Sequence, residues 1–522
     1  MAQTFNDITR NVVDHFLQNI IFVDDNAYLT EEKVNAFDAN EISSIFAQKG
    51  KLCTIFAPAT TEDLGFCKTL FSKSDVVVLD WYLKLKDPKQ LADLEADAED
   101  DEPRGVYTKD MIKNIVEDAS NKKLKLIIVY TGDVTKMHDI INEIREAVSI
   151  YDKYQIDEND NCRVYSQNVS ILVRAKSNGD DDNQLKYNDD LKSKIVDYKN
   201  LPDFISEEFS NFAGGLLPNF ALSAIAAIRR NTSNILGVFS KDIDPAFLGH
   251  YVSIPDCNDA IPMLSEIFGS AITDLINSEN FNLKTWIDTW LTQNYKQPLS
   301  TKIGKKDVEV KESDIRNIVN SSESKFKDKL KAAGFNISGS DDDLKKDATK
   351  LFILQSDTPN YKLAKLIQHS NLFSPSNAPR LTTGTIVKYK KSTNWNYLLC
   401  IQQRCDSVRI PKEGRTFLFL PLTQDKTSTA IVVGESDHMF VKNESHSIEL
   451  HEFVPNNDNE PIIAKQNKQI GYAFKDKIDK YYVWVAELKE MFAQHIVAAY
   501  TSQLSRVGID NSEWIRLIGK TK

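Results

Sequence analysis

The sequence lacks paired cysteines and any long apolar run. Its six cysteines include no CxxC pair and follow no secretory signal, so we expect reduced thiols and a cytoplasmic protein. The most apolar stretch, residues 214–228, is interrupted by Pro218, Asn219 and Ser223 and is shorter than the roughly 20 residues that a spanning helix needs. The sequence therefore predicts no membrane segment.

The chain also has fewer basic than acidic residues. The chain has 64 Lys and Arg against 75 Asp and Glu, a net charge of −11, which disfavours broad electrostatic binding to a nucleic-acid backbone. A nucleic-acid partner is therefore not implied. The content of hydrophobic residues, 41%, is typical of a globular protein. The length of 522 residues is enough for three or four domains of about 150 residues each.

The first 200 residues alternate short apolar runs with helical patterns. The apolar runs stop at polar residues, as buried parallel strands do when they reach the carboxyl edge of a sheet. They cover residues 19–23, 52–56, 76–79, 124–130 and 169–173. The pattern predicts an α/β domain over residues 1–200, built on a doubly wound sheet of five parallel strands.

Three further regions follow this domain. Residues 201–300 are predicted to be helical, and their apolar stripe at 205–228 fits a homodimer interface as well as it fits an internal core. Residues 301–380 are charge-dense and predict a helical or linker region. Residues 381–522 hold short β-rich segments and an amphipathic helix near 484–504, which predicts a mainly β domain ending in a helix. The predicted fold class is multidomain α/β plus α plus β.

Polar residues stand at the ends of four of the predicted strands. Asp24 and Asp25 follow the first strand, Asp80 the third, Thr131 the fourth and Lys176 the fifth. The carboxyl ends of parallel strands meet at one edge of a sheet, which is where open α/β sheets bind ligands. Carboxylates that share a space are relieved by a hard cation such as Mg²⁺, and an ammonium pairs with phosphoryl oxygens. The sequence therefore predicts a magnesium and phosphoryl site.

These residues, in this order, resemble the response-regulator receiver family. The resemblance implies that Asp80 is the phosphoacceptor and that Asp24, Asp25, Asp80 and the backbone carbonyl of Tyr82 hold Mg²⁺. It implies that Thr131 and Lys176 contact the phosphoryl group. It also implies a partner histidine kinase or related ATPase, and a signalling protein with no enzymatic activity beyond self-phosphorylation from a phosphodonor.

Two positions depart from the family pattern. Arg174 stands where the family has an aromatic switch residue, and Ser177 stands where it usually has proline after the lysine. A pseudo-receiver scaffold, which senses by binding and never accepts phosphate, therefore stays open as an alternative.

The whole chain also resembles a poorly characterised bacterial group with a receiver-like amino domain, some of whose members serve in antiphage conflict systems. The resemblance depends on Arg-Arg-Asn-Thr at 229–232, Arg-Cys-Asp-Ser-Val-Arg at 404–409 and Ser-Arg-Val-Gly-Ile-Asp at 505–510.

A second group of reactive residues lies in the β-rich region. Cys400, Cys405, Asp406 and Arg409 stand on or beside one predicted strand, which suggests a zinc or nucleophilic site and hence a hydrolase or nuclease as the alternative function. The five-residue gap between the two cysteines does not match the usual spacing of structural zinc ligands, and buried cysteines often serve as small apolar residues. The activity of residues 201–522 is not indicated by any other motif.

Overall fold

The computed structural model forms two units, Met1–Gln297 and Pro298–Lys522, and each is described by itself. It describes residues 3–28, 38–85, 105–119, 124–151, 154–177, 189–254, 260–295, 298–352, 358–370, 378–425, 429–442, 444 and 446–504. The motif at 505–510 lies outside these residues. None of the helices in the described residues is long and apolar enough to cross a membrane. The four domains drawn from the sequence, and the three boundaries between them, stay predictions.

The first unit is built around one sheet. Its strands are β1 Asn19–Val23, β2 Leu52–Phe56, β3 Val76–Leu79, β4 Lys125–Thr131, β5 Gln155–Asp157, β6 Asp160–Tyr165, β7 Val169–Lys176 and β8 Ile195–Val196. Their order is β2-β1-β3-β4-β7-β6-β5, with β8 paired to β7. The five strands from β2 to β7 are mutually parallel, β8 is parallel to β7, and β6 and β5 run antiparallel at the edge.

The expected count of five strands is not confirmed, because the described sheet has eight. The five predicted strands are all present as its parallel part. The β5–β6 hairpin extends the sheet because Cys162 and Val164 alternate with polar residues and bury one face against the core. β8 adds a further parallel strand by pairing with the last two residues of β7.

Helices cover both faces of the sheet. The helices of this unit are α1 Phe5–Phe16, α2 Ala39–Gln48, α3 Thr61–Lys73, α4 Val106–Ala119, α5 Met137–Val148, α6 Asp189–Lys192, α7 Leu201–Ala213, α8 Leu216–Arg230, α9 Thr232–Val238, α10 Asp244–Ser253, α11 Ala260–Ser278 and α12 Leu283–Asn294. Side chains from α1, α2, α7 and α8 form one core with Phe22 and Ile128, while α3, α4 and α5 form the other with Val77 and Ile127. Ile205 and Phe209 of the apolar stripe belong to the first core.

The second unit begins with a small hairpin and short helices. These are β9 Leu299–Ile303, β10 Lys306–Val310, α13 Glu312–Asn320, α14 Phe326–Ala332, α15 Asp341–Lys345 and α16 Thr358–Gln368. The hairpin turns at Gly304, whose φ of +60° favours glycine. The sequence did not predict these two strands, because the region is rich in charged residues. Only Leu299, Ile303 and Val310 of the two strands are buried.

The rest of the second unit is an antiparallel sheet. Its strands are β11 Thr385–Lys391, β12 Asn394–Cys400, β13 Arg415–Thr423, β14 Ala430–Val432, β15 His438–Val441, β16 Glu449–Phe453, β17 Lys465–Asn467, β18 Gly471–Lys475 and β19 Tyr481–Glu487. The order is β14-β15-β13-β12-β11-β19-β18-β17, with β16 beside β13. The final helix, α17 Glu490–Leu504, buries Ala493, Ile496 and Tyr500 against Ile386 and Leu399. A mostly parallel amino-terminal sheet, a helical middle and an antiparallel carboxyl-terminal sheet are therefore confirmed.

Candidate functional site

The site lies where the strand order of the first sheet reverses. The chain runs from β1 outward to β2 and then crosses to β3 on the other side of β1, so a crevice opens beyond the carboxyl ends of β1 and β3. Asp24 and Asp80 are the first residues after these two strands. The Asp80 amide donates to the carbonyl of Val23 at 2.9 Å, and the Asp24 amide donates to that of Phe56 at 3.2 Å. Both aspartates are thus fixed by the sheet's own hydrogen bonds.

Lys176 joins the two aspartates. It is the last residue of β7, and its Nζ lies 2.8 Å from Asp24 Oδ2 and 2.8 Å from Asp80 Oδ1. The side chain of Lys176 is only 14% exposed, and those of Asp24 and Asp80 are 4% and 8% exposed. The ring of Tyr130 lies 5.8 Å from the ammonium and adds a weak cation–π contact. A buried cation therefore bridges two buried carboxylates at the edge of the sheet.

Backbone amides hold the remaining carboxylate oxygens. Tyr82 donates its N–H to Asp80 Oδ2 at 3.0 Å, and Asn26 donates its N–H to Asp24 Oδ1 at 2.9 Å. Asp25 accepts the N–H of Lys84 at 3.1 Å, so the segment after β3 folds back over the acid pair. These backbone bonds, together with the Asn26 side-chain amide that donates to Asp25 Oδ1 at 3.2 Å, orient the three carboxyl groups.

The charges of the site act on one another. Burial lowers the pKa of the Lys176 ammonium, but the carboxylates of Asp80 and Asp24 outweigh burial and raise that pKa above its usual range. Burial, together with the charges of Asp24 and Asp80, raises the pKa of Asp25 to about 6, although the hydrogen bond from Lys84 opposes the rise. Three acids therefore lie close to the ammonium of Lys176.

The donor chemistry of the site fits Mg²⁺. Asp24, Asp25 and Asp80 offer hard carboxylate oxygens, the ligands that Mg²⁺ prefers in proteins. As the side chains stand, however, the Lys176 ammonium occupies the space between Asp24 and Asp80. Across the described ranges, no group of three or more His, Cys, Asp and Glu is arranged to hold a metal ion. The magnesium ligands accordingly stay a prediction.

Thr131 and Tyr82 lie at the site's edge. Thr131 is fully buried as the last residue of β4, and its hydroxyl accepts the N–H of Asp133 at 3.2 Å. The hydroxyl is thus at the carboxyl edge of the sheet, one strand from Asp80, as the strand pattern predicts. Tyr82 contributes its N–H to Asp80, while the metal-binding role of its carbonyl stays a prediction.

Thr108 is a residue of the site that the sequence did not indicate. It is fully buried in the first turn of α4, and its hydroxyl donates to the carbonyl of Asp80 at 2.7 Å. It therefore fixes the backbone of the candidate phosphoacceptor from outside the sheet. No motif marks it, since a threonine near the start of a helix is common.

Gly105 and Trp81 also help to fix the backbone next to Asp80. Gly105 has a φ of +81°, and a β-carbon there would overlap the Trp81 ring. Only glycine combines that backbone conformation with so close an approach. Trp81 is itself 2% exposed and directly follows Asp80, so its packing also determines the path of the chain after β3.

Arg174, at the expected switch position, belongs to a buried ion network. Its guanidinium lies 2.5 Å from Asp160 Oδ2 of β6 and 3.7 Å from Glu208 Oε1 of α7. Arg163 pairs with the same Glu208 carboxylate, and the Arg174 guanidinium lies 5.4 Å from the Phe204 ring. The position therefore holds a charged link to α7 in place of an aromatic side chain.

The second group of reactive residues is divided between two environments. Cys400 is fully buried in β12, and burial raises the pKa of its thiol to about 12. Cys405 is exposed on a short 3₁₀ turn, Cys405–Ser407, where Asp406 accepts a hydrogen bond from Gln402 at 3.3 Å and pairs with Arg415 at 3.4 Å. A thiol with so high a pKa is a poor nucleophile, so Cys400 acts as a small core residue.

Comparison with known proteins bears on the first unit. Residues 16–181 match the family model described as a response receiver domain. No curated protein and no solved structure matches the chain significantly. The matched residues contain β1 to β7 and every residue of the acidic crevice. The amino-terminal part of this chain is therefore a receiver-like domain, which supports response-regulator-like signalling.

Proposed function

We propose that Asp80 accepts a phosphoryl group and that the receiver domain thereby controls the rest of the chain. The observation that carries the proposal is the Lys176 ammonium at 2.8 Å from both Asp24 and Asp80. Such a cation, buried at the carboxyl edge of a parallel sheet, provides a fixed positive charge for the oxygens of an incoming phosphoryl group. The phosphodonor is a histidine kinase or a related ATPase partner.

The chain's own residues account for the acceptor step. A carboxylate oxygen of Asp80 attacks phosphorus, the P–O acyl-phosphate bond forms, and the P–N or P–O bond to the donor breaks with its electron pair leaving on the donor. The Tyr82 N–H holds the second carboxylate oxygen during the attack. Lys176 stays beside the new group and pairs with its oxygens, since it already contacts Asp80. Thr131 supplies a hydroxyl at the same edge.

The three acids of the site would bind Mg²⁺ during this step. Asp24, Asp25 and Asp80 would hold Mg²⁺ through their carboxylate oxygens, and the ion would supply positive charge that stabilises the phosphoryl oxygens. Asp25 differs from Asp24 and Asp80 in that it does not contact Lys176; its carboxylate accepts the Lys84 amide and the side-chain amide of Asn26.

A short path leads from the site to the helical region. Lys176 pairs in register with Val196 of β8, and Tyr130 donates its hydroxyl to the Val196 carbonyl at 2.6 Å. The chain then enters α7 after one 3₁₀ turn. Arg174, two residues before Lys176, pairs with Glu208 in α7. We expect the change of charge beside Lys176 on phosphorylation of Asp80 to reach α7 through these contacts.

Acetyl phosphate with Mg²⁺ tests the acceptor step. The intact mass of the full chain should rise by one phosphoryl group, and Asp80→Asn should abolish the gain. Asp110→Asn is the matched control, because this exposed acid on α4 pairs only with its neighbour Lys113 in the hydrogen bonds of the described residues. An unchanged wild-type mass would favour the pseudo-receiver alternative.

Beryllofluoride tests the path to α7. Hydrogen–deuterium exchange of α7 should change when Mg²⁺ and beryllofluoride load the site, and Asp80→Asn should remove the effect. Glu208→Gln should weaken the response of α7 while beryllofluoride still binds, because the charge that pairs with Arg174 is lost. Equal exchange of α7 with and without beryllofluoride would contradict the path. The hydrolase or nuclease alternative and the antiphage role stay predictions from the sequence.

A further inference from the structure

One face of the antiparallel sheet in the second unit is only partly covered. Side chains alternate between the two faces of a strand, so Ile386, Lys388 and Lys390 of β11 lie on one face, opposite to the buried Tyr389. Ile386 is buried in one cluster with side chains of α17, whereas Lys390 is exposed. The covering by α17 therefore ends partway along β11, and the face beyond it is open to solvent.

The open part of this face carries lysines and aromatic rings on neighbouring strands. Lys388 pairs in register with Tyr397 of β12, and Lys390 pairs with Trp395. On the other side of β11, Lys388 pairs with Val483 of β19, so Tyr481, two residues earlier, lies on the same face. We name Lys388, Lys390, Trp395, Tyr397 and Tyr481 the lysine–aromatic strip.

The ammonium groups of the strip lie beside its largest ring. Lys388 Nζ lies 5.0 Å and Lys390 Nζ 5.4 Å from the centre of the Trp395 ring. Trp395 nevertheless stays 40% exposed, and Tyr481 is 50% exposed. The strip therefore offers aromatic surface and positive charge side by side.

The strands that bear the strip are basic although the whole chain is acidic. Residues 385–400 contain three Lys and no acid, and residues 465–487 contain five Lys and three acids. Eight lysines against three acids give these two segments a net charge of +5, while the whole chain has −11. The acidic average of the chain therefore does not apply to this sheet.

Four acids lie on these segments or near the strip, and none pairs with its lysines in the described part of the chain. Asp479 pairs with a lysine of β18 at 2.7 Å, and Asp476 accepts two backbone amides of the β18–β19 turn. Glu487 ends β19, where the chain leads into α17. Burial and the charge of Asp437, which precedes β15, raise the pKa of Tyr397. The charges of the two strip lysines are therefore available to a ligand.

This combination of groups selects single-stranded nucleic acid. Unpaired bases stack on exposed aromatic rings, and ammonium groups beside the rings pair with the phosphates of the same strand. An acidic peptide would use the lysines but not the rings. A duplex keeps its bases stacked inside, and a membrane surface would require exposed aliphatic side chains among the cations. An unpaired strand uses both the rings and the lysines.

We propose that the lysine–aromatic strip binds single-stranded nucleic acid through its phosphates and the faces of its bases. Trp395 and Tyr481 lie on strands that flank β11, about 10 Å apart across the sheet, so each ring stacks one base. Lys388 and Lys390 lie on β11 between the rings and pair with the phosphates. The strip belongs to the second unit, and its binding does not depend on the proposed phosphoacceptor function.

Trp395 and Tyr481 test the stacking. Alanine at either position should raise the Kd of an oligonucleotide by about tenfold or more, because each substitution removes the platform for one base. Trp395→Phe, which keeps an aromatic ring, should retain most of the affinity. Phe352→Ala is the matched control, since this ring is 45% exposed in the same unit and lies outside the strip.

Lys390 tests the phosphate contact. Lys390→Gln should lower the slope of log Kd against log salt concentration by about 0.7, the value for one phosphate contact on a single strand. Lys306→Gln should leave the slope unchanged, because this exposed strand lysine lies in the separate β9–β10 hairpin.

Fluorescence anisotropy of labelled oligo(dT) and oligo(U), each about 12 nucleotides long, measures binding to the full chain. We expect a Kd between about 1 and 100 µM at physiological salt, the range of nonspecific sites. Unchanged circular dichroism in the variants would show that the fold is retained.

Four results would overturn the proposal. In the first, neither oligonucleotide binds at about 100 µM chain. In the second, the two alanine variants bind as tightly as the wild type and the Phe352→Ala control. In the third, a duplex of the same length binds as tightly as the single strands, which would exclude base stacking. In the fourth, polyglutamate binds more tightly than either oligonucleotide, which would show a surface for acidic peptides.

Discussion

Arg229 offers a sharp test of how the helical region is attached to the receiver sheet. Its guanidinium forms two hydrogen bonds with the Asp75 carboxylate, at 3.0 and 2.7 Å, and a third with the carbonyl of Phe16 at 2.8 Å. Asp75, whose side chain is 5% exposed, stands directly before β3 and also accepts the amides of Gln18 and Asn19. Arg229 therefore ties the end of α8 to the amino-terminal edge of the sheet.

Arg229→Ala should destabilise the first unit by about 3 kcal/mol. Breaking a buried ion pair costs about 3 to 5 kcal/mol. The lower end applies because Asp75 keeps its two backbone donors and because the Arg229 side chain is 29% exposed. The adjacent Arg230 is the matched control, since it makes one ion pair with Glu279 at 3.1 Å and is 45% exposed. Arg230→Ala should cost about 0 to 1 kcal/mol.

Native-state hydrogen exchange is the suitable assay, because it separates the first unit from the second. Amides of β1 and β3 should lose about 3 kcal/mol of protection in Arg229→Ala and stay close to wild type in Arg230→Ala. Amides of β11 and β12 should be unchanged in both variants. Equal loss of protection in the two variants would refute the reasoning, because it would show that the bidentate pair contributes no more than an exposed one.

Two further substitutions address the candidate site. Gly105→Ala should lower the free energy of unfolding of the first unit by about 2 to 4 kcal/mol, because the new β-carbon meets the Trp81 ring in a left-handed backbone conformation; a stable variant in the same exchange assay would contradict that packing. Lys176→Met leaves Asp24 and Asp80 facing each other while buried, which should cost about 3 to 5 kcal/mol and abolish phosphorylation. Added Mg²⁺ should return part of the lost stability, and a variant as stable as wild type without Mg²⁺ would show that the ammonium does not balance the two acids.

The positions of the acids could be predicted because they depend on local pattern. Each apolar run that ends in a polar residue indicates a buried strand and its carboxyl edge, and parallel strands bring those edges together. That reasoning put Asp24, Asp80 and Lys176 at one edge, and in the structure Lys176 contacts both acids. The family match to residues 16–181 agrees with the resemblance drawn from the same positions.

The remaining features depend on contacts between distant residues. Arg174 pairs with Glu208, and Thr108 donates to the carbonyl of Asp80, although neither pairing leaves a local pattern. The extra strands at the sheet edge are short, and β5 has only three residues, so alternation in the sequence is too brief to identify it. The environments of Cys400 and Cys405 likewise follow from how β12 and the turn after it pack, not from their spacing.

Locating the phosphoryl group tests most directly whether Asp80 is the phosphoacceptor. After the full chain has been treated with acetyl phosphate and Mg²⁺, borohydride reduction converts an aspartyl phosphate to homoserine, and peptide mass spectrometry identifies the residue. We predict homoserine at position 80 and the original aspartates at positions 24 and 25. Homoserine at another position, or a chain that carries none while a known receiver treated alongside is labelled, would contradict the assignment of Asp80 as the phosphoacceptor.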